Sequence, residues 1–415
     1  MENKNQEVKR PNKRKKAKKW IRFRHTVIRN TLYLPFYLYC RIVYRIKLEK
    51  YKGDKNRPCF ILFNHQTGFD QFFVSMSFPK HVYYVSSEDL FSNSWISRLL
   101  SWAVAPIPFR KSTADIAAIK NCLRIVREGG SIGMAPEGNR TYSGTTEHMK
   151  PAVAALAKAL KLPLAIYRIE GGYGVMPRFA DKVRKGKMRG YFSRVIPYEE
   201  IKAMSDDELF SLIKRELYVD EREDKTLFYS KHSAEYLDRA MYYCRNCGFS
   251  RFFSQGDIIS CEKCGEKIRY LPDKRLEGVG FDFPYPYVKE WYDAQCDFVR
   301  KSDLSPYTDT PVFEDSVRFV NNIYCKKKIV IDKNARLSVY SDRFTVATQE
   351  KEYVFPFTEL SSATVLGKNK LNIYEKELTY QFKGDKHFNA LKYLNLYCHA
   401  VNTVENSGEP QFLGL

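Results

Sequence analysis

A histidine and an aspartate lie five positions apart, just after a short apolar run, in the stretch LFNHQTGFD, residues 62–70. On one continuous helix the side chains of His65 and Asp70 would point roughly 140° apart, but a strand, a loop and then a helix beginning near Asp70 would let the carboxylate fold back onto the imidazole. An acid bonded to one ring nitrogen fixes the tautomer and leaves the other nitrogen to take a proton. The pair predicts a general base that activates a hydroxyl. The alternative is a structural histidine at a strand end.

A second candidate stretch is APEGNRTYSG, residues 135–144, which follows a predicted strand. Arg140 offers a planar fork of donors that suits phosphate, and Gly138 allows the backbone to approach a ligand closely. Glu137 adds a carboxylate. Arg110, at the end of APIPFR, is another candidate cation. The alternative is a polar turn with arginines that face solvent.

Four cysteines form the pattern C-x2-C-x13-C-x2-C, and a glycine follows each pair. The predicted ligands are Cys244, Cys247, Cys261 and Cys264. Four thiolates at this spacing are typical of a structural zinc site without an open catalytic position. Two disulfides are the alternative, which the six further cysteines disfavour. Those six, Cys40, Cys59, Cys122, Cys296, Cys325 and Cys398, suit buried free thiols in a reducing compartment.

The elements that must position these residues alternate between short apolar runs and helical patterns from about residue 58 to 197, as in an α/β domain. We predict strands at residues 59–63, 131–135 and 163–169. A helix is predicted to begin near Ser112, with Asp115 completing a capping box, and to end at Gly129. A second helix is predicted over residues 150–160.

The net charge of +21 is concentrated near the N-terminus. Residues 1–30 hold twelve Lys or Arg against Glu2 and Glu7, which suits an anionic surface such as a membrane or nucleic acid. The next segment, residues 31–50, is rich in Leu, Tyr and Phe but is interrupted by Arg41 and Arg45. We predict a helix that lies in the membrane interface and is kinked at Pro35, rather than one that crosses the bilayer. The alternative is a helix docked on the protein's own core.

Together the two stretches resemble the ordered motifs of the 1-acylglycerol-3-phosphate acyltransferase family. Its first motif, Asn-His-x4-Asp, is matched in full by Asn64, His65 and Asp70. Its third motif is matched by Pro136, Glu137, Gly138 and Arg140, with Ala135, Asn139 and Thr141 departing from it. Its second and fourth motifs are matched in part, by Arg110 and by Pro163 in LPLAIYRI.

The resemblance implies an acyltransferase that moves a fatty acyl group from acyl-CoA or acyl-carrier protein to the free hydroxyl of a lysophospholipid, most often lysophosphatidate. It implies that His65 is the general base and that Asp70 orients its ring. The substrate-binding residues would be Arg110, Glu137, Gly138 and Arg140, with both arginines on the acceptor's phosphate. It implies no catalytic cofactor. With the basic arm, it places the protein at the cytoplasmic face of a membrane as a peripheral or monotopic enzyme.

The length of 415 residues predicts at least two domains. We expect a glycerolipid-acyltransferase-like α/β fold, then a zinc ribbon, then a small antiparallel β domain with a closing helix. The pattern of the β domain is similar to that of pleckstrin-homology modules, and the alternatives are a protein-binding domain or a domain that only packs against the acyltransferase domain. The expected segments are a basic arm (1–30), an interfacial helical segment (31–50), the acyltransferase domain (51–200), a helical linker (201–242), the four-cysteine zinc ribbon (243–270), a helical connector (271–308) and the β domain (309–405). The β domain is predicted from seven short alternating runs between residues 327 and 382, of which KIVID and LSVYS are the first two predicted strands.

Two other classes of function fit parts of the sequence. A zinc-ribbon protein could use the basic arm to bind nucleic acid, and a scaffold could bind a lysophospholipid without turning it over. Neither class needs a general base, so the His65 and Asp70 pair disfavours both.

Overall fold

The computed structural model describes residues 19–91, 94–109, 115–322, 328–376 and 378–405. Within these ranges the chain folds into an α/β domain, a four-cysteine ribbon and an antiparallel β domain. Residues 1–18 of the predicted basic arm, Arg110 and Cys325 lie outside the described ranges.

A mixed sheet of seven strands forms the centre of the α/β domain. Its strands are β1 (Ile46–Leu48), β2 (Phe60–Phe63), β3 (Val82–Ser87), β4 (Ile107–Phe109), β5 (Ser131–Met134), β6 (Leu164–Glu170) and β7 (Met188–Ile196). Their order across the sheet is β1-β7-β6-β2-β5-β3-β4. All neighbours run parallel except β6 and β7. The predicted strands β2, β5 and β6 are therefore confirmed.

Eight helices accompany this sheet in the described residues. They are α1 (Phe23–Tyr39), α2 (Asp70–Ser77), α3 (Ser94–Ala103), α4 (Ile116–Arg127), α5 (Ala152–Leu160), α6 (Gly172–Val175), α7 (Tyr198–Ala203) and α8 (Asp206–Leu217). The helices predicted from Ser112 to Gly129 and over residues 150–160 are confirmed as α4 and α5, with shorter bounds. Asp115 caps α4 by accepting from Ala118 N, so the helix begins later than the proposed start at Ser112.

The sheet brings the two candidate stretches together. Strands β2 and β5 are parallel neighbours, with Leu62 opposite Met134. Since both strands end at the same edge, the loop after β2 and the loop after β5 must lie side by side. The central strand β2 is fully buried because every residue from Phe60 to Phe63 is apolar.

The N-terminal segment differs from its predicted boundaries. Helix α1 already begins at Phe23, within the predicted basic arm, and contains Pro35. A π-helical turn, Cys40–Tyr44, follows, and residues 46–48 form strand β1. The prediction of helix up to residue 50 is wrong there, because Ile46 is buried and pairs with Met188 of β7.

The predicted helical linker, residues 201–242, is helical only in part. Helix α8 has the expected Ser205 cap, with a capping box to Glu208. Beyond Leu217 the chain is mostly irregular, with a single 3₁₀ turn at Leu237–Arg239, so the prediction of helix fails there. This stretch packs as a buried loop, which places Ala234 and Leu237 in the core.

The ribbon and its connector follow. Strands β8 (Tyr243–Cys244) and β9 (Gly248–Phe249) form one hairpin. A four-stranded antiparallel sheet contains β10 (Phe252–Gln255), β11 (Ile258–Cys261), β12 (Lys267–Tyr270) and β13 (Leu276–Gly278). Helix α9 (Val288–Lys301) then leads to the last domain and buries Trp291.

The C-terminal domain has seven antiparallel strands. They are β14 (Phe313–Asn321), β15 (Ile329–Val339), β16 (Arg343–Ala347), β17 (Glu352–Pro356), β18 (Ser362–Leu366), β19 (Lys370–Glu375) and β20 (Leu378–Lys383), and helix α10 (Ala390–Glu405) closes the sheet. The order is β17-β16-β15-β14-β20-β19-β18.

The number of strands matches the prediction, but two assignments were wrong. The two runs KIVID and LSVYS were predicted as separate strands, whereas residues 329–339 form one strand. The polar residues between the two runs belong to the same strand, β15, because β14 pairs with β15 along its length, with register shifts near Phe319. Strand β14 was missed because Glu314, Asp315 and Arg318 interrupt its apolar pattern.

One hydrophobic cluster joins all three parts of the chain. It contains Tyr142 and Phe179 of the α/β domain, Ile259 of the ribbon, Trp291 of α9 and Leu394 of α10. The C-terminal domain is therefore packed on the α/β domain through a shared core.

Candidate active site

The loop after β2 holds His65 against Asp70. The Asn64 amide exchanges hydrogen bonds with both backbone groups of Ile169 on β6, at 2.8 and 2.7 Å, which fixes the end of β2. The next residue, His65, is bonded through Nδ1 to Asp70 Oδ2 at 2.8 Å. The structure thus brings together the two residues that the sequence singled out.

Asp70 is fully buried at the start of α2, and its carboxylate is held from several directions. It accepts hydrogen bonds from the backbone N–H of Gln66 at 2.7 Å, from the backbone N–H of Thr67 at 3.0 Å and from the Thr67 hydroxyl at 2.7 Å. A carboxylate fixed in this way can orient the imidazole ring. The His65 side chain is 24% exposed, so this pair combines a buried carboxylate with a partly exposed imidazole.

The loop after β5 supports His65 through its backbone. Glu137 Oε1 accepts from the N–H of His65 at 2.7 Å, and Oε2 accepts from the N–H of Glu147 at 2.8 Å. The N–H of Thr141 donates to the carbonyl of His65 at 3.1 Å. Burial raises the pKa of the Glu137 carboxyl well above its ordinary value, although the two N–H donors oppose that shift. Because both of its oxygens accept from backbone N–H groups, the Glu137 side chain faces the protein backbone.

Gly138 and Arg140 lie on the open side of the same loop. Gly138 has φ +67°, and a side chain built there would meet nothing within 4 Å. A guanidinium nitrogen of Arg140 lies 4.0 Å from the position that a Cβ on Gly68 would take, beside the His65 and Asp70 turn. Burial, together with the neighbouring Arg178 cation, lowers the pKa of Arg140 to about 10. Arg110 falls outside the described residues.

His65, Gly138 and Arg140 open into a cavity of about 730 Å³. Most of its wall is apolar and comes from α1, α2, α3 and β3. The apolar residues include Ile28, Leu32, Phe36, Phe72, Met76, Val82, Val85, Ile96 and Leu100. A volume of this size with an apolar wall suits a ligand that carries a hydrocarbon chain.

Sequence reasoning missed Arg178, Glu147 and the apolar wall. Arg178 is almost fully buried, yet it lies outside both motifs in an ordinary-looking stretch, MPRFA, so no local signal marks it. Glu147 accepts from the Thr141 hydroxyl at 3.0 Å and the Tyr142 N–H at 3.1 Å, which shapes the second loop. The apolar helix α3 could have been noticed from SWISRLLSWA.

The four clustered cysteines converge at the tip of the ribbon. The sulfur atoms of Cys244, Cys247, Cys261 and Cys264 all lie within 4.8 Å of one another. Gly248 and Gly265 have φ of +67° and +77°, which a side chain would disfavour and which the two tight turns require. Burial would raise the pKa of Cys261, but the backbone N–H of Cys264 and the Ser250 hydroxyl outweigh it and lower the pKa to about 7.

The remaining cysteines behave as predicted where they are described. Cys40, Cys59, Cys122, Cys296 and Cys398 are buried free thiols. Burial raises the pKa of Cys122 to about 12, so its thiol stays protonated.

Comparison with known proteins matches residues 45–169 to the acyltransferase family model. Two similar proteins are 1-acyl-sn-glycerol-3-phosphate acyltransferases. The chloroplastic BAT2 of Brassica napus is 23% identical over 135 residues, which is 31% of this chain and 38% of that protein. The protein of Bacillus subtilis strain 168 is 26% identical over 111 residues, 27% of this chain and 52% of that protein.

Among solved structures, the 1-acyl-sn-glycerophosphate acyltransferase PlsC of Thermotoga maritima aligns with 47% of this chain and 95% of its own, at 16% identity and a TM-score of 0.34. The matched region of this chain covers about two fifths and about half of the two curated relatives. The family match contains the first and third motifs and the strands β2 and β5 that carry them. Over residues 45–169, this chain is therefore similar to proteins of the acyltransferase family.

Proposed function

We propose that this protein is an O-acyltransferase that moves a fatty acyl group from a thioester to the free hydroxyl of a lysophospholipid, with 1-acylglycerol-3-phosphate as the acceptor. The observation that carries the proposal is the bond between His65 Nδ1 and the buried Asp70, at the wall of an apolar cavity. The acyl donor would be acyl-CoA or acyl-carrier protein.

In the proposed reaction, Nε2 of His65 takes the proton of the acceptor hydroxyl as its oxygen attacks the thioester carbonyl. Asp70 holds the ring and stabilises the imidazolium that forms. The tetrahedral intermediate then breaks its C–S bond, and the departing thiolate receives the proton from His65. General base catalysis of this kind contributes roughly 10² to 10⁴ in rate. The reaction needs no cofactor.

Arg140, the cation near the reacting hydroxyl, would bind the acceptor's phosphate. Arg140 lies beside the His65 turn, and a side chain at Gly138 in the same loop would meet nothing within 4 Å. The apolar wall of the cavity would take the acyl chains, and positioning of both substrates would supply much of the remaining acceleration. Arg110 stays a predicted contributor.

The protein would meet its substrates at a membrane surface. Helices α1 and α3 contact each other, and Arg24 donates to the carbonyl of Trp102 at 2.8 Å. Their inner faces line the cavity, whereas Trp95 and Trp102 on α3 are 67% and 53% exposed and Phe23 on α1 is 84% exposed. Exposed aromatic residues beside basic ones are typical of interfacial binding. No helix in the described ranges is both long enough and apolar enough to span a bilayer.

The cluster of four cysteines would hold a structural zinc ion. Four sulfur atoms within 4.8 Å suit tetrahedral coordination, and four protein ligands leave no open position for catalysis. The ion would stiffen the ribbon, whose Phe249 and Phe252 belong to the shared core. The C-terminal domain, with four strands and then three strands closed by α10, would be similar to pleckstrin-homology modules.

Purified protein incubated with labelled acyl-CoA and a panel of acceptors tests this function. The panel contains lysophosphatidate, lysophosphatidylcholine, glycerol 3-phosphate and monoacylglycerol. We expect labelled phosphatidate from lysophosphatidate. The proposal fails if no acceptor is acylated with either acyl-CoA or acyl-carrier protein as the donor.

A further inference from the structure

The turn between β18 and β19 reaches the cavity from the C-terminal domain. Leu366, Gly367 and Lys370 line the same cavity as His65 and Arg140. The wall of the candidate active site is therefore built from two domains, although the family match ends at residue 169.

Arg178 holds this turn against the second motif loop. Its Nη1 donates to the carbonyl of Arg140 at 2.9 Å, while Nε donates to the carbonyl of Gly367 at 3.2 Å and Nη2 to that of Val365 at 3.3 Å. The guanidinium also lies 4.0 Å from the centre of the Tyr142 ring. One buried cation thus fixes the distance between the Arg140 loop and the turn.

A second contact reinforces the docking. Lys368, in the same turn, donates to the carbonyl of Ala180 at 2.5 Å and pairs with Asp181 at 2.7 Å. Arg239 binds the same carboxylate at 2.9 Å. Lys368 and Arg178 therefore hold the turn in place at this edge.

The charges at the cavity have one sign. The charged side chains that line it are the cations Arg29, Arg140, Arg178 and Lys370, and no carboxylate lines it among the described residues. Like charges gathered beside a partly buried space repel one another, and an anion between them relieves that repulsion. Such a site favours an anionic ligand.

Lys370 is placed to contact such a ligand. It begins β19 and lines the cavity, and its Cε lies 3.6 Å from the position of a Cβ on Gly367, whose carbonyl Arg178 binds. Gly367 has φ +62°, a conformation that favours glycine and that forms the tight turn beside this lysine.

We propose that Lys370 binds a phosphate ester of a substrate, so that the C-terminal domain completes the substrate site of the acyltransferase domain. This inference rests on the proposed function. The phosphate belongs either to the lysophospholipid acceptor or to the acyl donor, and both sources share the chemistry that an ammonium recognises.

The test compares Lys370→Gln with the matched variant Lys351→Gln, which removes an exposed charge from the turn before β17, away from the cavity. Steady-state KM is measured separately for lysophosphatidate, for monoacylglycerol and for acyl-CoA. We expect Lys370→Gln to raise one KM by about tenfold to a hundredfold, as the loss of one charged hydrogen bond does. Lys351→Gln should match the wild type, and Lys370→Arg should recover most of the loss.

The separate KM measurements identify which substrate carries the phosphate that Lys370 binds. A higher KM for lysophosphatidate, with monoacylglycerol unchanged, assigns Lys370 to the acceptor, whereas a higher KM for acyl-CoA assigns it to the donor. The inference is overturned if Lys370→Gln matches the wild type for both phosphate-bearing substrates. If the wild type transfers no acyl group, the proposed function fails. Equilibrium binding of lysophosphatidate and of a thioether analogue of acyl-CoA, wild type against Lys370→Gln, then decides the inference by itself.

Discussion

The backbone N–H of His65 donates to the Glu137 carboxylate at 2.7 Å, so the acid of the second loop positions the histidine of the first. The same carboxylate accepts from the N–H of Glu147 at 2.8 Å. Glu137 therefore supports two loops through their backbone, and we expect it to affect the proposed reaction through the placement of His65; its contact with substrate stays a prediction.

Replacing Glu137 by glutamine tests this support. An amide can accept only one of the two N–H groups, and its own NH₂ would meet the other donor, so the loop must shift. We expect kcat to fall about a hundredfold with little change in either KM, because a displacement of about 1 Å costs that much in a positioned reaction. Glu199→Gln, at an exposed acid of α7, is the control. A kcat equal to that of the wild type would contradict the assignment.

The exposed aromatic residues of α3 should control membrane binding. Trp95→Ser and Trp102→Ser each remove a large side chain that would enter the lipid interface, and each should weaken binding by about tenfold or more. Sedimentation with phosphatidylglycerol and phosphatidylcholine vesicles measures the change. Tyr229→Ser, at another exposed aromatic residue, should leave binding unaltered. Equal weakening by all three variants would argue against a surface centred on α3.

Metal content tests the ribbon. Protein prepared without chelator should contain about one zinc ion per chain, and Cys261→Ser should lose it. The Cys261 variant should also unfold at a lower temperature, because the ribbon contributes to the core shared by the three parts of the chain. Cys122→Ala removes a buried thiol of α4 and should keep the metal. Much less than one zinc per chain in the wild type would remove the zinc assignment.

Acid should destabilise the packing around His81. Burial lowers the pKa of this imidazole from its ordinary 6.5 to about 4. The unfolded chain therefore binds a proton near pH 6.5, whereas the folded chain binds it only near pH 4. The stability that His81 contributes is present above pH 6.5 and is lost as the pH falls toward 4.

The variant His81→Gln isolates this effect, since glutamine keeps an N–H donor for the carbonyl of Val104, which His81 Nε2 contacts at 3.1 Å. Between pH 7 and pH 4.5 the unfolding temperature of the wild type should fall further than that of the variant. If the unfolding temperatures of the two proteins fall in parallel with pH, His81 is protonated equally in the folded and unfolded states, which would contradict the prediction. Buried carboxyls such as Glu221, with a pKa raised to about 7, act in the opposite direction and are common to both proteins.

Local patterns in the sequence predicted the parts of the site that depend on neighbours along the chain. The turn from His65 to Asp70 could be predicted because an apolar strand, a polar loop and a helix-starting acid follow one another within nine residues. The cluster of four cysteines was equally predictable, because ligand spacing and following glycines describe its geometry. The Ser205 cap of α8 belongs to the same class.

Long-range contacts account for what could not be predicted. Arg178 binds the carbonyls of Arg140 and Gly367. Gly367 lies 189 residues after Arg178, and no spacing rule in the sequence connects such positions. Strand β14 and the full length of β15 depend on pairing partners that outweigh the polar residues within each strand. Strand β1 likewise forms because it pairs with β7, with Ile46 opposite Met188. The contribution of the C-terminal domain to the cavity wall depends on these long-range contacts, so the sequence alone did not predict it.

The most direct test of the account is the rate of phosphatidate formation by His65→Gln relative to the wild type, with lysophosphatidate and acyl-CoA at saturation. Loss of the general base should lower kcat by roughly 10² to 10⁴ while the folded structure is kept, as judged by the unfolding temperature. A folded His65→Gln protein that turns over within a few-fold of the wild type would contradict the proposal that His65 takes the acceptor's proton.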